Sequence, residues 1–162
     1  MVFARLGPMT TYVPLHCLSH YSFLEGASSP TSWIQEIHKQ RLPAVAITDR
    51  CGVYGLVEAH QKAKELNVKL IVGSSFTISG IGDAVCLVKD KSGYHNLCAL
   101  ITKSRLRCVK GTYQTRVHDL CDHADGLGVT FLRSFVDQFM EPTGRVFSVW
   151  QRLKGVSVLK FV

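Results

Sequence analysis

No run of this sequence approaches the roughly twenty consecutive apolar residues that a membrane-crossing helix needs, so a membrane partner is not expected. The opening MVFARLGPMTTYVP has no continuous apolar stretch of the secretory type, and the default expectation is a cytoplasmic location. None of the six cysteines (Cys17, Cys51, Cys86, Cys98, Cys108, Cys121) is spaced C-x-x-C, and without a secretory run before them reduced thiols are the default. The glycines do not follow either common phosphate-loop pattern, so Gly55 and Gly73 read as turn residues that permit unusual backbone angles. No spacing of Ser, His, Cys and Asp sets out a nucleophilic triad, and no cluster of aspartates suits two-metal nucleotidyl transfer. No catalytic residue is therefore assigned.

What the chain does have is three β-type runs that each end in a group of metal-binding interest. TYVPLHCLSHYSFLEGAS (11–28) carries His16 and His20, PAVAITDRCGVYG (43–55) carries Asp49, and VKLIVGSSF (68–76) carries Ser74 and Ser75. Tyr12 to Leu15 reads as a first strand, kept short by Pro14. Ser29 and Pro30 open a helix with Trp33, Ile34, Ile37 and Arg41 on one face, and it must stop before Pro43. Ala44 to Thr48 is a continuous apolar strand, as expected where both faces are covered. A second helix runs from about Gly55 to Leu66, with Asn67 as a left-handed stop. Lys69 to Val72 is the next strand, and Phe76–Ile78 with Ala84–Val88 form a hairpin around Gly80 and Gly82. Ser92 caps a third helix whose apolar face holds Tyr94, Leu97, Cys98 and Ile101. Cys86, within AVCLV, and Cys98 read as packing residues. Strands alternating with helices imply a parallel sheet or barrel, with chemistry at the carboxyl ends of the strands.

The formal charge is +7. Lys103, Arg105, Arg107, Lys110 and Arg116 follow one another with no acid between, which suits phosphate contacts with DNA or, more blandly, a solvated helix end. At 162 residues the chain is well short of the about 250 of a complete βα barrel.

The segments LHCLSHYSFLEGAS, AITDRCGVYGLVEAH and KLIVGSSF, continued by DKSGYHNLCALITKSRLRCVKGTY and HADGL, resemble in order the PHP domain at the amino terminus of bacterial DNA polymerase III alpha subunits, on its error-prone branch. The resemblance implies an α/β fold, here a partial PHP-type βα barrel of distorted TIM-like form. It covers residues 9–127, leaving 1–8 as a non-homologous extension. Residues 128–162 read either as a shifted reading frame or as a diverged helix (Phe131 to Met140) and strand (Arg145 to Trp150).

The family's strand ends hold divalent metals. Of its H-x-H, T-D-H and G-[SC]-E motifs, this chain keeps His16 and Asp49 but has Leu18, Arg50 and Ser75 at three ligand positions. Two ligands hold a metal poorly, so no cofactor is expected. Residual zinc or manganese at His16 and Asp49 is the alternative, with His20 available as a third donor. Arg50 is expected to replace the metal's charge and to satisfy Asp49. The resemblance further implies a role in DNA replication, repair and translesion synthesis, with DNA and the remainder of a polymerase as partners. The nucleotidyltransferase core, which uses magnesium, is not recognisable here. The other readings are a PHP-type metal-dependent phosphoesterase and an inactive truncated remnant. The oligomeric state is not legible.

Overall fold

The structure, a computed structural model, describes residues 12–131 and 157–158. The expected extension (1–8), helix positions 132–140 and strand (145–150) lie outside the described residues. The elements are α1 (Pro30–Lys39), β1 (Ala44–Ile47), α2 (Leu56–Leu66), β2 (Lys69–Ile78), β3 (Gly82–Val88), α3 (Lys91–Leu106), α4 (Val117–Asp122), β4 (Leu127–Phe131) and β5 (Ser157–Val158). They build one sheet in the order β1-β2-β3-β4-β5. Phe131 closes β4 rather than opening a helix.

Local sequence accounts for most of these limits. The Ser29 hydroxyl accepts from the Ser32 N–H at 3.0 Å and Pro30 stands in the first turn, which together start α1. Arg41, at φ 56, takes the chain out of the helix ahead of Pro43, so it lies beyond the apolar face expected to include it. Asn67 ends α2 in the left-handed region at φ 53. For α3 the cap is Asp90, whose carboxylate accepts from Gly93 N–H at 2.9 Å, two residues before the expected Ser92. The buried side of that helix is Leu97, Leu100 and Ser104, and Tyr94 is exposed.

Two expectations need correction. Residues 12–16 form no strand; the segment only brushes β1, where Pro14 O and Cys17 O accept from Ala46 N–H and Thr48 N–H, both at 2.9 Å. Pro14 has no N–H to extend that ladder. Also, the third β-run does not end at its serines. β2 is one ten-residue strand that changes partner, parallel to β1 from Lys69 to Val72 and antiparallel to β3 from Gly73 to Ile78. The strand-helix alternation therefore gives way to a hairpin, and β3 pairs antiparallel with β4. Gly73 sits at the change of partner. Its need is for space, not an unusual angle: a Cβ there would lie 2.7 Å from Cys86 O and 2.9 Å from Thr48 Cγ2.

The sheet has two unequal faces. On one, Phe76, Ile78, Ala84, Cys86, Leu127 and Val129 pack with Leu97 and Leu100 of α3 and Leu120 of α4. Burying such side chains contributes about 1.5–3 kcal/mol each. On the other, Ala46, Val85 and Leu87 meet Leu15 and Ile71. α1 and α2 pack Ile34, Ile37, Ala59 and Ala63 against Val45 and Ile47.

Candidate functional site

Asp49 follows β1 and is buried, 1% exposed. Its carboxylate is filled by hydrogen bonds from the loop that follows Cys17. Ser19 N–H donates to Oδ1 at 2.7 Å, and the Ser19 hydroxyl lies 2.8 Å from each oxygen. The Ser22 hydroxyl donates to Oδ1 at 2.8 Å. The loop comes close because Gly26 and Gly55 leave room: a Cβ at Gly26 would lie 2.1 Å from Ser19 O, and one at Gly55 would lie 3.1 Å from Asp49 Oδ2.

His16 is exposed, and its Nδ1 lies 3.0 Å from Thr48 Oγ1. Partial burial, then the Arg50 guanidinium, holds its pKa below the ordinary imidazole value. Leu18 fills its motif position with a half-buried apolar side chain, and its carbonyl accepts from Trp33 Nε1 at 3.0 Å. His20 is exposed and rests against the Tyr21 ring, 4.4 Å between centroids. Among the described residues no three His, Cys, Asp or Glu side chains are grouped to hold a metal ion. Asp49 already accepts from three donors, and the guanidinium of the next residue is held nearby by Glu25 and Asp83. This donor set does not fit a resident metal.

Contrary to the expectation from the sequence, Arg50 does not satisfy Asp49; serines do. Its Nε lies 3.0 Å and 3.2 Å from the Glu25 oxygens, and its Nη2 also meets Glu25. Its Nη1 lies 3.4 Å from Asp83 Oδ1. Ser19, Ser22, Glu25 and Asp83 were thus missed. The first three lie inside the motif segment, but only the folded loop shows which of its polar residues turn inward.

The basic stretch is largely engaged within the chain. Lys103 lies 3.0 Å from Asp119 and 3.6 Å from Asp122. Arg107 grips both oxygens of Asp119, with Nη2 to Oδ1 at 3.1 Å. Asp119 is fully buried and also accepts from Arg116 N–H at 3.1 Å. The Arg107 guanidinium, with Lys103 and that N–H, holds its carboxyl well below the ordinary range against the opposing effect of burial. Arg105 donates to Cys51 O at 2.9 Å and lies over the rings of Tyr54 and Tyr113. Lys110 and Arg116 are exposed. The acid that neutralises this stretch lies three residues past its end, which is why the run looked free.

Among the described residues no helix is long and apolar enough to cross a membrane. The profile of the PHP domain family matches residues 14–151. An error-prone DNA polymerase of Pseudomonas fluorescens is 42% identical over 130 residues, covering 80% of this chain and 13% of that protein. The error-prone DNA polymerase of Pseudomonas aeruginosa is 43% identical over 124 residues, 76% of this chain and 12% of its own. The chain thus spans about an eighth of the length of these relatives. A Bifidobacterium adolescentis protein described as a metal-dependent phosphoesterase shares the fold at a TM-score of 0.60 and 13% identity, over 93% of this chain and 86% of its own. The chain belongs to the PHP domain family and resembles the amino-terminal PHP domain of error-prone DNA polymerases.

Proposed function

We propose that this chain is the PHP scaffold module of an error-prone DNA polymerase III alpha-like protein acting in DNA replication and translesion repair synthesis. Template-directed nucleotidyl transfer, with its magnesium, belongs to the remainder of the longer polymerase, and the cytoplasm is where such a protein works. The observation that carries this reading is the bonding of the strand-end centre. Serine hydroxyls and a backbone N–H fill Asp49, and Arg50 is held by Glu25 beside Asp83 where the family's fold would gather metal ligands. Such a centre is suited to a structural task. His16 and Asp49 are its two retained ligand positions, each already bonded to a neighbour.

In this reading residues 9–127 are the motif-bearing part of the PHP domain. The reach of the family profile to residue 151 favours a diverged continuation for 128–162 over a shifted frame. With Lys103, Arg105 and Arg107 engaged internally, Lys110 and Arg116 are the exposed cations that would meet phosphate, and any DNA contact through them is weak and falls steeply with salt.

The test is a paired assay on the purified chain with magnesium or manganese: primer extension and release of nitrophenol from a nitrophenyl phosphate ester. Neither should exceed a no-protein control. Ester hydrolysis above that control would instead favour the phosphoesterase reading.

A further inference from the structure

Three segments distant in sequence converge on one guanidinium. Glu25 comes from the loop between Cys17 and Ser29, Arg50 from the segment just after β1, and Asp83 from β3. The register puts them on one face: Arg50 is bridged to Ser75, and Thr77 is paired with Asp83 two residues along the same strand. Nε and Nη2 of Arg50 engage Glu25 in two-point fashion, and Nη1 faces Asp83, whose Oδ1 also accepts from Thr77 Oγ1 at 2.6 Å. The Arg50 main chain is fixed as well, its N–H donating to Ser22 Oγ at 3.0 Å. The Arg50 side chain is only 18% exposed. Two carboxylates from separate segments around one enclosed cation is the arrangement a cross-linking divalent ion would make. A guanidinium makes it permanently, because it stays charged at any working pH and cannot dissociate. It also repels any second cation from the two carboxylates best placed to hold one.

We infer that Arg50 is a built-in replacement for a divalent cation: it ties the 19–28 loop and the β2–β3 hairpin to the end of β1, and its presence is what keeps metal out. The inference rests on the reading of a centre without metal but not on any role in polymerisation, so its test uses only the chain's own stability and cleavage.

The loop offers a reporter, since Phe23 and Tyr21 are 83% and 46% exposed at its tip and are chymotrypsin targets. In EDTA, Arg50→Ala should be cut after these residues about fivefold faster than wild type. Its Tm should fall by about 5 °C. Glu25→Gln, a mild change at a half-exposed side chain, should give the same acceleration, and Arg50→Lys, which keeps the charge but not the fork, an intermediate one. Millimolar manganese should restore much of the Tm of Arg50→Ala, whose Glu25 and Asp83 are then free, and leave wild type unmoved. Unchanged cleavage in both Arg50→Ala and Glu25→Gln would overturn the tie. A wild-type Tm that rises with manganese, or an Arg50→Ala variant indifferent to it, would overturn the exclusion.

Discussion

Replacing Asp49 by alanine is the sharpest perturbation of the strand-end centre. The carboxylate is 1% exposed and serves three donors: the Ser19 N–H, the Ser19 hydroxyl and the Ser22 hydroxyl. Hydrogen bonds to a charged acceptor contribute about 1.5–3 kcal/mol each. Three such bonds on one acceptor are not additive. Removing the carboxylate also relieves the several kcal/mol that its burial costs. Against that relief stand a buried Ser19 N–H and two hydroxyls left without their acceptor. A net destabilisation of about 3 kcal/mol follows. For a chain of this length that lowers Tm by about 6–12 °C. Asp49→Asn keeps one acceptor for the Ser19 N–H and lets the hydroxyls rotate, so its loss should be about 1 kcal/mol. Thermal and urea melts of the two variants, read with EDTA and with added manganese, give the answer. If Asp49→Ala melts within a degree of wild type, the serines are not held by that carboxylate and the account of the centre fails.

Other outcomes follow from the same structure. Asp119 has a folded-state pKa held below its unfolded value of about 3.9, chiefly by Arg107. Its contribution is therefore present above that value and lost as pH falls through it and below. Wild-type stability should begin to drop near pH 4 and keep falling below it, and Asp119→Asn, less stable at neutral pH, should show a shallower drop; equal slopes in denaturant titrations would contradict this. Burial pushes the Cys86 thiol up to about 12 and those of Cys17 and Cys51 up to about 11. These three should resist a thiol reagent at pH 8 until the chain unfolds, while the less buried Cys98, Cys108 and Cys121 react first. Rapid labelling of Cys86 in the native chain, read by peptide mass, would count against the packed sheet face.

Much of this fold is legible before any coordinates. Ser29–Pro30, Asn67 and the continuous apolar run at Ala44 mark element ends because caps, left-handed stops and two-sided burial are local properties with residue signatures. The hairpin around Gly80 and Gly82 is legible for the same reason. What stays hidden is non-local. β2 reads as two runs because its first half serves a parallel neighbour and its second an antiparallel one, and only pairing joins them. Arg50 was recognisable as a cation in a ligand's position, but its partner was not. Asp49 is adjacent in sequence, yet adjacent residues on an extended chain point to opposite sides. Glu25 and Asp83 reach the guanidinium instead, from 25 and 33 residues away. In the same way the basic stretch looked unpaired because Asp119 lies on the next helix, turned back toward it.

The central claim is that serines and an arginine, not a metal, hold the strand-end centre of this PHP domain. Elemental analysis of the chain purified without added metal tests it most directly. The account predicts less than one zinc or manganese per chain, with a melting temperature unaffected by EDTA. One or more tightly held metal ions per chain, lost to EDTA together with stability, would contradict it.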